Sequence, residues 1–302
     1  MTALHSASPD VRTDQTPAPP VHRARRAVGW LRRNKGLSTS AAFLTAVVIA
    51  GVAAPWIAPY DPDAQVLSSR LGGFSSAHWL GTDDLGRDVL SRLLAAGRVS
   101  LYAAALATAV GFLLGVPAGV FSGYTGGWID AAAGRFADAL MSIPGLLLAL
   151  AIVGALEPSL TNAMLAVGVV FAPNFFRLSR AVTLSLRQEG YVEAAVAMGR
   201  PSRSIILGHV LPNIVTPVTV QTSITLGFGL LAEASISFLG LGVQPPQASW
   251  GAMLGRSARY MQDAPHLVLV PGLMIFLTVL AFNSLGDGLR DVLLRKRGAR
   301  DH

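Results

Sequence analysis

Three carboxylates close together are the first residues of this chain whose type and spacing could do chemistry. Asp83, Asp84 and Asp88 occur within "GTDDLGRDVL", and carboxylate oxygens are the ligands that hard cations prefer. The same region carries Arg87 and Arg92, and Asp and Gly are typical turn residues. The favoured interpretation is therefore local capping together with pairing to the two arginines, and a cation site is the alternative.

A further carboxylate, Glu233, follows a charge-free apolar run over residues 204–232. Ionisable groups inside membrane spans are expensive and are functional candidates by default. Two roles stay open for Glu233: it faces a path through the membrane, or it pairs with a neighbouring chain.

Motifs of the common hydrolases are absent from the sequence. A phosphate-binding loop needs a Gly-Lys pair, and the two lysines follow Asn34 and Arg295. HExxH and GxSxG are also missing, the six histidines are scattered, and there is no cysteine. We therefore predict no catalytic residue and no metal site in this chain.

The composition is that of a membrane protein. Hydrophobic residues make up 52% of the 302 residues and charged residues 14%, against about 25% charged in soluble domains. The charge-free runs are long enough to hold helices of about 20 residues. An all-α integral membrane protein is predicted, with six spans near 38–57, 99–121, 137–156, 161–181, 213–240 and 266–288.

The orientation follows from the positive charges, which collect on the cytoplasmic side. With the N-terminus inside, eighteen of the 24 Lys and Arg residues lie in the inner segments. Both termini are therefore predicted to be cytoplasmic, and the net charge of +7 is explained without nucleic acid. The first apolar run exceeds the usual 7–15 residues of a signal peptide core, which favours an uncleaved anchor.

The segment "YVEAAVAMGRPSRSIILGHVLPNI", residues 191–214, is charged and carries helix breakers between two apolar runs. Gly199 is a plausible helix C-cap, and Pro201 suits the first turn of a second short helix that stops before Pro212. We therefore predict two short helices at an angle, hereafter the elbow. Its alanines leave one surface with little bulk, so that docking to a partner and a plain interfacial connector are equally favoured.

Four glycines in the second predicted span are spaced four residues apart. Such a row lies on one helix face and permits close approach of another helix. The row predicts tight helix packing and no particular function; its members are Gly111, Gly115, Gly119 and Gly123.

The elbow resembles the EAA loop of permease subunits from ATP-binding-cassette (ABC) importers. Glu193-Ala194-Ala195, then Gly199, then Leu211-Pro212 match that motif. His209 and Pro201 depart from the common pattern, and a histidine before "LPN" is similar to the dipeptide and oligopeptide branch. Three further stretches resemble the C-type subunit of dipeptide, oligopeptide, glutathione or nickel importers: "GTDDLGRDVLSRL", "EASISFLGLGVQPPQASWGAML" and "FLTVLAFNSLGDGLRDVL".

The resemblance implies the transmembrane domain of a type I ABC importer. It implies coupling to a separate ATPase through the EAA-loop residues Glu193, Ala194, Ala195, Gly199, Arg200, Leu211 and Pro212. The implied partners are a homologous second permease, two cytoplasmic ATPase subunits that hold ATP and magnesium, and an extracytoplasmic solute-binding protein. The implied cargo is di- or oligopeptides, with glutathione or nickel chelates as alternatives. Two other classes of protein are disfavoured. An ion-coupled secondary transporter would be expected to have several buried acids and inverted repeats. An intramembrane enzyme would need the catalytic motifs that are absent from this sequence.

The chain divides into four predicted segments. Residues 1–36 form a cytoplasmic tail with a basic segment, and residues 37–98 hold the first span and an external loop. Residues 99–290 form the ABC transmembrane domain, with the coupling loop near 187–212, and residues 291–302 form a cytoplasmic tail.

Overall fold

The computed structural model describes residues 35–298, which are almost entirely helical and contain no β-strand. Short 3₁₀ turns occur at Leu67–Ser69, inside the first long connection, and at Ala258–Tyr260, directly after the helix Trp250–Ser257. In chain order the α-helices are α1 Lys35–Ile57, α2 Val89–Thr125, α3 Gly127–Met141, α4 Gly145–Ala155, α5 Leu160–Arg187, α6 Gly190–Ala197, α7 Ser202–Ile205, α8 Leu211–Phe238, α9 Trp250–Ser257 and α10 His266–Gly298.

Within residues 35–298, five helical segments are long and apolar enough to cross a membrane: α1, α2, α5, α10 and the segment Ser202–Phe238, which ends with α8. A sixth span is present in this part of the chain if α3 and α4 are counted together, and these two helices meet at an angle of 89°. The predicted third span, a single helix over 137–156, is therefore wrong in shape. Pro144 explains the break, because proline offers no backbone N–H and disfavours helical geometry in the residue before it.

The second span starts earlier than the sequence predicted. α2 begins at Val89, ten residues before the predicted start of the span at residue 99, and runs without interruption to Thr125. The predicted segment boundary at 98/99 consequently falls inside α2. Asp88 caps this helix, since its Oδ2 accepts hydrogen bonds from the backbone N–H of Ser91 (2.8 Å) and from its hydroxyl (2.7 Å).

The glycine row of α2 lies directly against α5. A side chain at Gly115 would overlap the Ala172 carbonyl, and one at Gly119 would overlap the Phe176 carbonyl. A Cβ at Gly123 would lie 2.8 Å from the carbonyl oxygen of Arg180. The predicted tight packing is therefore confirmed, with α5 as the partner helix.

The remaining helices enclose α2 and α8. α1 packs between α2 and α10, and α8 contacts both α2 and α10. α9 returns from the connection after α8 and packs on it through Gly251, beside the buried Trp250. The elbow lies at one end of this bundle, and the α1–α2 connection together with α9 lies at the opposite end, hereafter the distal end.

The predicted N-terminal tail, apart from its last two residues, lies outside the described residues, and so do the last four residues of the chain.

Candidate functional site

The first half of the elbow forms as the sequence predicted. α6 covers Gly190–Ala197, and Gly199 follows it with φ at +73°. Its N–H donates to the Val196 carbonyl (2.9 Å), and the Arg200 N–H donates to the Ala195 carbonyl (3.2 Å). These two bonds define a Schellman ending, which requires the left-handed conformation that glycine adopts without strain.

The second half of the elbow does not stop before Pro212. α7 continues through a π-helical turn, Ile206–Val210, into α8, and Ser202–Phe238 is a single span of 37 residues. The Leu211 N–H donates to the Ile206 carbonyl, five residues back. Because hydrogen bonding shifts register there, Pro212 falls in the first turn of α8, where its missing N–H is tolerated.

One face of the elbow is buried against the bundle. Val192, Ala195 and Ile205 form a small apolar cluster, and Tyr124 at the end of α2 packs against it. The guanidinium of Arg187 lies 5.6 Å from the centre of the Tyr124 ring. Sequence reasoning missed Tyr124, although its position one residue after the glycine row placed an aromatic ring where the elbow must attach.

The opposite face of the elbow is exposed. Of the predicted coupling residues, Glu193, Ala194, Gly199 and Arg200 lie on this face. Ala195 does not, because it belongs to the buried cluster at 2% exposure. Leu211 is half-buried and Pro212 is exposed, and both belong to α8. The coupling roles predicted for these residues stay predictions.

Apolar side chains add to this exposed face. An isolated surface turn would expose mainly polar groups, whereas exposed apolar patches mark interaction sites. Large apolar side chains that are between 46% and 73% exposed here are Tyr191, Val196, Leu207 and Met198.

Ion pairs fasten the neighbouring helices next to the elbow. Arg180 on α5 donates two hydrogen bonds to Asp130 on α3, from Nε to Oδ1 (2.5 Å) and from an Nη to Oδ2 (2.6 Å). Ser122 of α2 donates to the same carboxylate at 2.6 Å. Three helices, α2, α3 and α5, therefore meet at Asp130.

Glu233 lies inside the bundle and is 0% exposed. Its carboxylate accepts hydrogen bonds from Ser100 of α2 (3.1 Å) and Ser237 of α8 (2.7 Å). The Ser100 hydroxyl in turn accepts the backbone N–H of Trp250 at 3.1 Å. The residue therefore links α2, α8 and α9 within this chain; its predicted roles in a pathway or between subunits stay predictions.

The carboxylate cluster before α2 is capped and paired. Asp83 and Arg87 form an ion pair at 2.6 Å, and Arg92 bonds to Asp63 at 2.9 Å. Asp88, besides capping α2, accepts a hydrogen bond through Oδ1 from the Nδ1–H of His78 at 2.9 Å. The favoured interpretation of capping and pairing is confirmed.

Comparison with family models decides the family. The model described as "Binding-protein-dependent transport system inner membrane component" matches residues 115–298. The chain belongs to this family. A second model, "N-terminal TM domain of oligopeptide transport permease C", matches residues 23–72. The two matches together cover the first span, the last part of α2 and everything from there to residue 298, including the elbow.

Curated relatives agree over nearly the whole chain. The glutathione transport system permease protein GsiD of Escherichia coli O157:H7 is 41% identical over 292 residues, 96% of this chain and 95% of the relative. GsiD of Pectobacterium atrosepticum is 43% identical over 267 residues, 87% of this chain and 89% of the relative. The dipeptide transport system permease protein DppC of Alkalihalophilus pseudofirmus is 40% identical over 269 residues, 89% of this chain and 88% of the relative.

A solved structure shows the same fold. The chain matches an inward-facing conformation of the MetNI methionine ABC transporter with a TM-score of 0.55 at 20% identity, covering 67% of this chain and 96% of that one. This likeness of fold, together with the family match, confirms the predicted transmembrane domain of an ABC importer. This binding-protein-dependent permease is a multi-pass protein of a bacterial cell membrane.

Proposed function

We propose that this permease subunit forms half of the pathway for short peptides in an ATP-driven importer and couples that pathway to a separate ATPase through the elbow. The two faces of the elbow carry the proposal. Val192, Ala195 and Ile205 attach it to the bundle at Tyr124, while Glu193 and Arg200 stay exposed. A partner that pushes on the exposed face therefore moves α2 and α8 with it.

The partners follow from this assignment. ATP and magnesium are bound and hydrolysed on two cytoplasmic ATPase subunits or domains that dock on the elbow. A homologous second permease completes the pathway, and an extracytoplasmic solute-binding protein delivers the cargo to the distal end. This chain itself holds no cofactor in the proposed cycle.

The substrate class is peptides of a few residues, glutathione among them. Similar relatives carry the names of glutathione and dipeptide permeases at nearly equal identity, and glutathione is itself a small peptide. Dipeptides and glutathione both have charged termini and peptide bonds, so that one kind of pathway can admit them.

Co-expression with ATPase subunits tests the coupling. We expect the chain alone to show no ATP hydrolysis, and the assembled importer in proteoliposomes to hydrolyse ATP faster when its loaded binding protein is added. Uptake of labelled dialanine, glutathione and a nickel chelate by the same vesicles assigns the cargo. Peptide uptake by the purified chain alone, without ATP, would contradict the proposal and favour a secondary transporter.

The orientation has its own test. We expect a cysteine at Ser76, in the exposed α1–α2 connection, to react with an impermeant thiol reagent in intact cells, because the distal end faces outward. A cysteine at Ser202 on the exposed elbow should react only after permeabilisation. Both positions are exposed, so that accessibility is matched, and the absence of native cysteine removes background labelling. The reverse pattern would overturn the predicted orientation.

A further inference from the structure

A wide groove opens at the distal end of the bundle, with a volume of about 1330 Å³. Its walls are the end of α1, the first turns of α2, the start of α5 and the connection between α8 and α9. The elbow, Glu233 and the capped carboxylates at Asp83 and Asp88 all lie outside its lining.

Arg98 lines this groove and carries a charge that has no partner among the described residues. Arg98 of α2 is exposed, and its guanidinium makes no ion pair or hydrogen bond with any of residues 35–291, whereas Arg87, Arg92 and Arg180 are all paired. The Arg98 guanidinium can therefore donate several hydrogen bonds to a ligand bound in the groove.

The depth of Arg98 is set by its contact with α1. A Cβ at Gly51 would lie 3.0 Å from the backbone nitrogen of Arg98, so the two helices touch there. Gly51 precedes the end of α1 at Ile57 by six residues, which is about 9 Å along a helix. An unpaired arginine that lies about 9 Å from the end of a membrane-spanning helix is costly if it faces hydrocarbon. Its long side chain extends toward the membrane interface, where an anion can pair with it.

The lining of the groove divides into two zones. Ala54, Pro55, Ala95 and Val99 form an apolar wall of small side chains beside Arg98. A polar rim above it is formed by Tyr60, Asp61, Gln244 and Gln247.

Exposed aromatic side chains lie beside the groove, near the ends of the spans that form it. Tyr102 lines the groove and is 56% exposed, and Trp56 at the end of α1 is 80% exposed. Exposed Tyr and Trp at the ends of spans are typical of the interface between hydrocarbon and head groups. The groove therefore crosses this interface, with its apolar wall on the hydrocarbon side.

We propose that the groove binds one phospholipid of the outer leaflet, whose phosphodiester accepts hydrogen bonds from Arg98. Guanidinium matches phosphate oxygens in a bidentate arrangement. One acyl chain lies along the wall at Ala95 and Val99, and the exposed carboxylate of Asp61 receives an ammonium head group. Phosphatidylethanolamine carries both groups and is the predicted occupant.

Two other occupants fit less of the groove. A free phosphate would satisfy Arg98 but would leave the apolar wall in contact with water. It would also bring no cation to Asp61, whose carboxylate accepts the backbone N–H of Asp63 at 2.9 Å. A zwitterionic dipeptide would satisfy both charges but would leave the apolar wall in contact with water. Only a lipid covers the cation, the acid and the wall together.

Native mass spectrometry of the purified full-length chain, with phosphatidylethanolamine added in mild detergent, tests the site. We expect one lipid retained per chain, and about tenfold weaker retention for Arg98→Gln, as loss of a charge-assisted pair predicts. Arg259→Gln is the matched control, because Arg259 is exposed at the same end, has no ion pair and lies outside the groove. Equal retention by wild type and Arg98→Gln would overturn the proposal.

Two further measurements separate the lipid from soluble ligands and from misfolding. Glycerophosphoethanolamine and dialanine, which lack acyl chains, should not displace the lipid, and displacement by either would assign the groove to a soluble ligand instead. In the unmodified chain, phosphatidylethanolamine with a photoreactive acyl chain should cross-link within residues 95–102. Cross-links elsewhere only would also overturn the proposal, whatever the stability of Arg98→Gln.

Discussion

Glu193→Lys and Gly199→Val are each expected to abolish substrate-stimulated ATP hydrolysis and uptake by the assembled importer while leaving the chain in the membrane. Glu193 lies in the first turn of α6, and losing its interaction with the helix dipole costs only about 0.3–1 kcal/mol, too little to unfold the chain. Gly199 has φ at +73° and open space around it, so that valine adds strain of about 1–3 kcal/mol without a steric clash. ATPase activity, peptide uptake and co-purification of the ATPase are the measurements.

Matched substitutions distinguish a coupling face from general charge or helix effects. Glu189 is also exposed and stands at the N-terminal cap of the same helix without a side-chain cap bond. Glu189→Lys therefore makes the same change of charge as Glu193→Lys, at the same end of the helix dipole. We expect its effect on ATP hydrolysis and uptake to be much milder. Gly199→Asn should also be milder than valine, since asparagine tolerates the left-handed conformation. Equal damage from Glu189→Lys and Glu193→Lys would refute a specific coupling role.

Gly119→Val is expected to prevent the chain from accumulating as a folded protein. A Cβ at this position would overlap the Phe176 carbonyl and would lie 3.0 Å from the backbone nitrogen of Arg180 and from the Ser179 Cβ. Backbone atoms in two packed helices cannot yield as a flexible side chain does, so α2 and α5 must separate. Overpacking typically costs about 1–3 kcal/mol and occasionally more, and this contact should lie at the upper end.

The yield of monodisperse protein after extraction, and the Tm of whatever is recovered, measure this effect. Gly134→Val on α3 is the control, because a Cβ there meets nothing within 4 Å and the loss of a helical glycine is the same. If both variants fold equally well, the contact between the glycine row and α5 is not essential to the bundle.

Local signals in the sequence were sufficient for the membrane class, the family and the location of five of the six predicted spans. Charge-free runs must be helical in lipid, because the backbone has no water to bond, and this rule needs no tertiary information. The Schellman ending at Gly199 and the cap at Asp88 also depend on a few adjacent residues. For the same reason the EAA pattern was recognisable without a structure.

Helix continuity depended on packing as well as on local breakers. Pro144 interrupts the predicted third span, yet Pro173, Pro217 and Pro271 lie inside unbroken helices. Pro212 was expected to end the elbow, and a π-helical turn instead carries the helix past it. Neighbouring helices can re-satisfy a backbone that proline interrupts, and the sequence of one segment does not state which neighbour is present.

Only the tertiary structure decided which side chains contact one another in the sites. The sequence identified Ala195 as part of the coupling motif but could not show that it is turned inward onto Tyr124, about seventy residues earlier. It likewise marked Glu233 as unusual without showing its bonds to Ser100 and Ser237, and it passed over Arg98. Each of these facts depends on which helix faces are brought together by packing between distant segments, whereas the sequence by itself fixes only which residues share a face of one helix.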